Sequence, residues 1–280
     1  MSGYTGSEEV TVGKELLYAC EQVGFVYPDG TPALKGVSFN VWRGDRVAVL
    51  GANGSGKSTL LRLLDGLIEP TEGEIRFQDT ALTERNLQKS PFQMVFRQRV
   101  GFVFQDADAQ LFNPTVWDEV AFAPRQLGMP ESAVQQRVAD TLNLLGISHL
   151  AERAPFRLSG GEKRKVSIAC VLSMNPEVLL LDEPIAGLDP RMQGWLVNTL
   201  QRLHEAGKTL LIATHNLHTL PEIADRVLIL SEAHTLLADL PLQDALQNTD
   251  VLRQAGLLHE HLHAHGNTTH SHLHAHEHHH

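Results

Sequence analysis

Gly51-Ala-Asn-Gly-Ser-Gly-Lys-Ser58 directly follows the apolar run Val47-Ala-Val-Leu50 and fits the pattern GxxxxGK[ST]. A glycine-rich turn of this kind lets backbone N–H groups wrap a polyphosphate, and the helix that follows adds its positive end. Asn53, Gly54, Ser55 and Gly56 would form the cradle. Lys57 would carry an ammonium to the β- and γ-phosphates, Ser58 a hydroxyl to magnesium, and Thr59 a hydrogen bond to the α-phosphate. Farther along, Val178-Leu-Leu-Leu181 runs into Asp182-Glu183-Pro184, which puts two carboxylates at the tip of an apolar strand. Open α/β sheets bind ligands at that end. Asp182 is then the candidate holder of hydrated magnesium, and Glu183 the candidate base for an attacking water. Gln105 closes the run Val100-Gly-Phe-Val-Phe104, from which its amide could reach both the metal and the water.

These residues need rigid elements beneath them. Short β-rich runs alternate with turn signals from Leu16 to Val49, and a helical pattern starts at Lys57 and ends near Gly66. Strands are expected around Glu74–Phe77 and Arg99–Phe104. A mostly helical stretch spans 107–158, clearest at Glu131–Leu145. The pattern then reads helix Gly161–Ser173, strand Val178–Leu181, helix Pro190–Ala206 and strand Thr209–Ala213. Strand followed by helix, repeated, implies a mainly parallel sheet covered on both faces. The fold class is α/β, with a nucleotide-binding core at 14–258 and a helical subdomain inserted at about 106–160.

Bulk properties narrow the function. A net charge of −10 over 280 residues argues against nonspecific nucleic-acid binding, which needs a basic surface. Cys20 and Cys170, the two cysteines, have no disulfide-framework or zinc spacing and read as core thiols in a reducing compartment. No apolar run reaches the roughly 18 residues of a membrane helix, and no secretory leader is evident. A soluble chain is expected, serving a membrane only through a partner.

Leu158-Ser-Gly-Gly-Glu162, placed between the phosphate loop and Asp182-Glu183, decides what the loop means. Together these motifs resemble the ATP-binding-cassette ATPases. The resemblance implies a P-loop NTPase fold: a RecA-like core with a mainly parallel sheet, an antiparallel β subdomain and the inserted helical subdomain. It implies ATP and Mg²⁺ as cofactors. His215, just past the strand that follows Asp182-Glu183, resembles the family's switch histidine, which contacts the γ-phosphate and orients the base. Tyr27 resembles the aromatic residue that stacks on adenine. In the family, the set matching Ser159, Gly160 and Gly161 caps the γ-phosphate held by a second cassette, and Asp189 in Ala186-Gly-Leu-Asp189 lies in the loop that crosses that interface. A head-to-tail homodimer with two competent sites follows. Glu162 departs from the Gln that often ends the signature.

Val103-Phe-Gln-Asp-Ala-Asp-Ala-Gln-Leu-Phe-Asn113, with Thr115-Val-Trp-Asp-Glu-Val-Ala-Phe122, is similar to the ATPases of energy-coupling-factor importers, which take up vitamins or transition-metal ions. That similarity implies a membrane scaffold subunit and a substrate-specific membrane subunit as partners, no nucleic acid, and a place on the cytoplasmic face of the inner membrane. Phe112, Val116 and Trp117 are candidates for lining the groove that receives the scaffold. Of the 16 histidines, 11 fall within 259–280. They form two arms, His259, His261, His263, His265 and His270, His272, His274, His276, His278, around the turn signal Gly266-Asn-Thr-Thr269. The longest run is three, unlike a purification tag, and alternate spacing puts imidazoles on one face of an extended arm. Such a tail, expected to be disordered, could chelate Co²⁺, Ni²⁺, Zn²⁺ or Cu²⁺. The expected cargo is cobalt first and nickel next. The alternatives are a vitamin importer and a metallochaperone GTPase, although the latter's Asn-Lys-x-Asp element is missing. A soluble cassette of DNA repair or translation would need a long coiled coil or a second cassette.

Overall fold

The computed structural model describes residues 14–88, 91–107, 110–265 and 268–275, with backbone alone considered for 259–275. Strands β3 (Arg46–Leu50), β7 (Val178–Asp182) and β8 (Thr209–Thr214) are almost entirely buried. Continuous apolar runs of this kind suit a parallel sheet covered on both faces. With β6 (Val100–Val103), β9 (Arg226–Leu230) and β10 (Leu236–Pro241) they form a six-stranded sheet of order β10-β9-β3-β8-β7-β6, parallel except for β10. β9, β10 and the short helices Leu242–Gln247 and Thr249–Gln254 add to the elements expected from the pattern.

A second sheet, of order β2-β1-β4-β5, is antiparallel: β1 (Leu16–Val26), β2 (Pro32–Trp42), β4 (Glu72–Phe77) and β5 (Thr80–Ala81). The helix Lys57–Leu64 lies between the two sheets and buries Leu60, Leu61, Leu63 and Leu64 in their shared core. Tyr18, fully buried on β1, donates its hydroxyl to Leu64 O at 3.1 Å and ties the second sheet to that helix. The helical subdomain comprises Val116–Gln126 and Glu131–Leu144, and it packs against Gly160–Leu172 in a separate core with the far face of the parallel sheet.

The backbone of the histidine-rich end forms a hairpin, β11 (Leu258–His265) paired antiparallel with β12 (Thr268–Ala275). Composition implies a disordered tail, but the period-two alternation of each arm is also a strand pattern, and over 258–265 and 268–275 the backbone takes that form. His276, His278 and the final residues lie outside the described residues.

Candidate nucleotide site

The register of the parallel sheet brings the chemistry together. β3, β8 and β7 are adjacent and end level, with Leu50 opposite Thr214 and Ala213 opposite Asp182. The phosphate loop leaves β3, His215 leaves β8, Asp182 and Glu183 close β7, and Gln105 follows β6 beside them. Four chain segments far apart in sequence thus open on one edge. A cleft of about 500 Å³ lies there, and Tyr27, Asn53, Gly54, Gly56, Lys57, Ser58, Thr59, Gln105, Glu183 and His215 all line it.

Side-chain geometry is specific. Ser58 donates its hydroxyl to Asp182 Oδ1 at 2.8 Å. Lys57, 5% exposed, donates Nζ to Gly51 O at 2.9 Å and Ala52 O at 3.1 Å, with Glu183 Oε1 at 3.6 Å. Burial lowers the Lys57 pKa and raises that of Asp182, against the opposing pull of Glu183 on the lysine and of the Ser58 hydrogen bond on the aspartate. A buried ammonium held by carbonyls can exchange them for phosphate oxygens. A carboxylate and a hydroxyl 2.8 Å apart, with the Gln105 amide in the same cleft, form the all-oxygen donor set that suits Mg²⁺.

Glu183 has the positive φ of 43°, a strained backbone for a residue with a side chain. Its N–H donates to Ala213 O at 2.9 Å, and its Oε1 lies 2.9 Å from His215 Nδ1. Strain of this kind holds one side chain in one direction. Tyr27 is placed by a turn in which its N–H meets Thr31 O at 2.8 Å, and its hydroxyl lies 2.8 Å from Thr59 Oγ1. Ser55 differs from the other loop residues, since its hydroxyl is buried beneath the loop. Thr31, Pro32, Ala33 and His234 also line the cleft. No local motif marks them; they arrive through the β1–β2 turn and the β9–β10 turn, where Lys35 N–H meets His234 O at 2.8 Å.

Ser159, Gly160 and Gly161 stand outside this cleft. Gly160, Gly161, Gly187, Leu188, Asp189 and Gln105 border a second, smaller one of about 250 Å³. Ser159 and Glu162 form a capping box: Glu162 Oε2 accepts from Ser159 N–H at 2.8 Å and from its hydroxyl at 2.9 Å, and Ser159 Oγ accepts from Glu162 N–H at 3.3 Å. These hydrogen bonds, the backbone one foremost, hold the Glu162 carboxyl below its usual pKa. Asp189 caps the helix Pro190–Glu205 through Met192 N–H at 2.9 Å. Arg164, on the wall of the second cleft, donates to Phe104 O at 2.7 Å and to the O of Gln105, which lines both clefts, at 2.5 Å. Among the proposed groove residues, Val116 is fully buried because its helical phase points it into the subdomain core. Phe112 is exposed, and it pairs edge-to-face with exposed Phe122, centroids 5.1 Å apart.

A phosphate loop, a Mg²⁺-compatible oxygen pair and an oriented carboxylate on one sheet edge define a P-loop ATPase. Comparison with known proteins identifies which kind. The family model described as ABC transporter matches residues 34–186. The nickel import ATP-binding protein LarO of Lactiplantibacillus plantarum is 47% identical over 232 residues, 83% of this chain and 95% of that protein. The energy-coupling factor transporter ATP-binding protein EcfA of Methanothermobacter thermautotrophicus is 42% identical over 236 residues, 84% of this chain and 74% of that protein. The solved structure of cbiO1 from Clostridium perfringens, part of the ABC transporter complex cbiONQ, matches with a TM-score of 0.74 at 35% identity, covering 87% of this chain and 95% of that one. The chain belongs to the ABC transporter family and is an ATPase of that family.

Proposed function

We propose that this chain is the ATP-hydrolysing subunit of an energy-coupling-factor importer for a transition-metal ion. The importer resemblance, taken with the histidine tail, put cobalt before nickel; the 47% identity to a protein named for nickel import reverses that order and is the observation that carries the substrate reading. In this reading two copies associate head to tail on the cytoplasmic face of the membrane, so that Ser159–Gly161 of one copy close the cleft of the other. A membrane scaffold subunit docks near Phe112, and no helix among the described residues is long and apolar enough to cross a membrane itself.

The chain's own groups account for hydrolysis. Lys57 leaves the Gly51 and Ala52 carbonyls for the β- and γ-phosphate oxygens. Glu183 takes a proton from water as the water oxygen bonds to the γ-phosphorus and the bond to the β-phosphate oxygen breaks, leaving ADP and phosphate. His215 keeps the Glu183 carboxylate aimed. Ser58, Asp182 and Gln105 would hold Mg²⁺, which would supply charge neutralisation between the phosphates. Opening after hydrolysis is transmitted through the Gln105 segment, which Arg164 ties to the signature helix.

The direct test is metal content by mass spectrometry in cells carrying the native chain or Glu183→Gln. Selective loss of nickel or cobalt in the variant is expected. Unchanged levels of every transition metal would overturn the metal reading and favour a vitamin as cargo.

A further inference from the structure

The histidine hairpin is rooted on the phosphate loop. Ala255, at the end of the helix Thr249–Gln254, is fully buried, and its carbonyl accepts the N–H of Ala52 at 3.2 Å. The carbonyl of the same Ala52 accepts Lys57 Nζ at 3.1 Å. One loop residue therefore joins the lysine of the cleft to the C-terminal segment. The next residue, Gly256, has φ +68°, and a Cβ there would lie 2.9 Å from Glu232 Oε1 and 3.2 Å from Ala52 Cβ. Leu257 is 2% exposed, with its N–H on Leu252 O at 2.9 Å. Together with Leu220, Ile229 and Leu242 it forms a core against which Leu258, the first residue of β11, packs. The connection is short and buried rather than a loose linker.

The register of the hairpin is equally specific. His259 stands opposite His274, His261 opposite His272, and His263 opposite His270. Period two along each strand puts all three pairs on one face, while Glu260, Leu262 and Ala264 occupy the other with Leu273, Ser271 and Thr269. Directly opposed residues have Cα atoms about 4.5–5.5 Å apart. Successive rungs on one face lie roughly 7 Å apart, twice the strand rise. Neutral imidazoles bind late first-row divalent ions at about 2.0–2.1 Å. The register thus brings six histidines, three from each strand, to one face of the hairpin. An ion bound at that face would lock the two strands to each other and fix Leu258, and through it Ala255.

We propose that β11 and β12 form a regulatory site for a divalent late transition metal, and that its occupancy is passed to the phosphate loop through the Ala255–Ala52 hydrogen bond. The regulatory half of this inference rests on the reading of the cleft as the ATP site. The metal half does not. The direction follows from preorganisation: holding Ala52 in place removes part of the cost of ordering the loop around phosphates, so bound metal tightens ATP binding. Coupling between two sites is reciprocal, so ATP must tighten metal binding by the same factor. The cleft would then favour ATP when the cargo ion is abundant at the cytoplasmic face.

The test uses the full-length chain. Ni²⁺ binding is measured by equilibrium dialysis with and without MgATP, and ATP affinity by calorimetry in excess Mg²⁺ with and without Ni²⁺. The native chain is compared with one in which His259, His261, His263, His270, His272 and His274 are all replaced by Asn. A third variant carries a flexible Gly-Ser insertion between Leu257 and Leu258. The native chain should bind Ni²⁺ and show about a fivefold mutual tightening, the lower end of measured couplings. The six-Asn variant should lose tight Ni²⁺ binding and with it the tightening. The insertion variant should keep Ni²⁺ and lose the tightening, which separates transmission through the root from Ni²⁺ acting on the nucleotide itself. Ni²⁺ binding retained by the six-Asn variant would overturn the site. Ni²⁺ and ATP binding without mutual effect in the native chain, or coupling that survives the insertion, would overturn the transmission. Failure of the native chain to bind ATP at all would sink the cleft reading and the coupling together, with the dialysis result standing apart.

Discussion

The phosphate loop and the Leu158–Glu162 turn of this chain are built in opposite ways, as Gly56 and Gly160 show. At Gly56 in the phosphate loop, φ is +106° and an added Cβ would come within 2.2 Å of Ala33 O. The fold itself demands that glycine. At Gly160 in the signature, a Cβ would meet no atom within 4 Å beyond the helix's own turn, and φ lies outside the left-handed region. Around the loop, Lys57, Thr59, Asp182 and Glu183 are buried and already bonded to groups of this chain. Around the signature, Ser159 and Gly160 are exposed and the capping box satisfies itself. One region is a finished half-site. The other meets no steric demand at Gly160 from this chain, which fits the proposed contact with a partner's nucleotide.

The comparison can be broken in four places. The largest effect is expected from Glu183→Gln, which keeps shape and removes the base: steady-state hydrolysis should fall on the order of 10²–10⁴-fold. The same variant should accumulate as a dimer in MgATP by light scattering; a species that stays monomeric would break the partner half of the argument. Next, Lys57→Ala should weaken ATP binding by roughly one to two factors of ten in calorimetry, because a charge-assisted contact contributes about 1.5–3 kcal/mol. An affinity within twofold of native would mean that Lys57 keeps its carbonyl partners when nucleotide binds.

Gly160→Ala sharpens the contrast most directly. It replaces a poor helix former with a good one at no steric cost in this chain, so the melting temperature should hold or rise, by at most about 1 kcal/mol of stability. Hydrolysis should nevertheless drop about tenfold, equivalent to ~1.4 kcal/mol of lost transition-state binding, with ATP affinity of the isolated chain unchanged. Full hydrolysis in this variant would show that nothing approaches Gly160 closely. The smallest effect concerns Asp65, just past the loop helix, whose carboxyl is 6% exposed, accepts Arg97 Nη1 at 3.1 Å, and is pushed by burial up to about 7. Its folded pKa lies above its unfolded one, so the folded state binds more protons between about pH 4 and 7. Stability from this group therefore declines as pH rises through that window, at up to ~1.4 kcal/mol per unit. Asp65→Asn should flatten that decline in melting temperature across pH 4–8; an identical slope in both chains would remove Asp65 as its source.

Much of this was readable in the sequence because the relevant physics is local. The phosphate loop needs its glycines and lysine within eight contiguous residues, and the apolar runs at Val47–Leu50 and Val178–Leu181 mark buried parallel strands wherever they sit. The capping box is likewise visible as Ser159 followed three residues later by Glu162. Less was readable around Val116: helical phase sends it inward and leaves Phe122 outside, while Phe112 lies exposed in the segment before the helix, a distinction that depends on which face the core covers.

What the amino-acid order determined by itself, then, is the inventory: a phosphate loop, an acidic pair on a strand end, a signature turn, and a run of alternating histidines. Only the tertiary structure decided who meets whom. The strand order β3-β8-β7-β6 sets His215 between the loop and Glu183 and brings Gln105 to the same edge. The β9–β10 turn adds His234 to the cleft wall, and the C-terminal helix lays Ala255 on Ala52. These are contacts between segments whose sequence separation leaves no local trace, since sheet pairing and core burial, rather than chain neighbours, fix the distances between them.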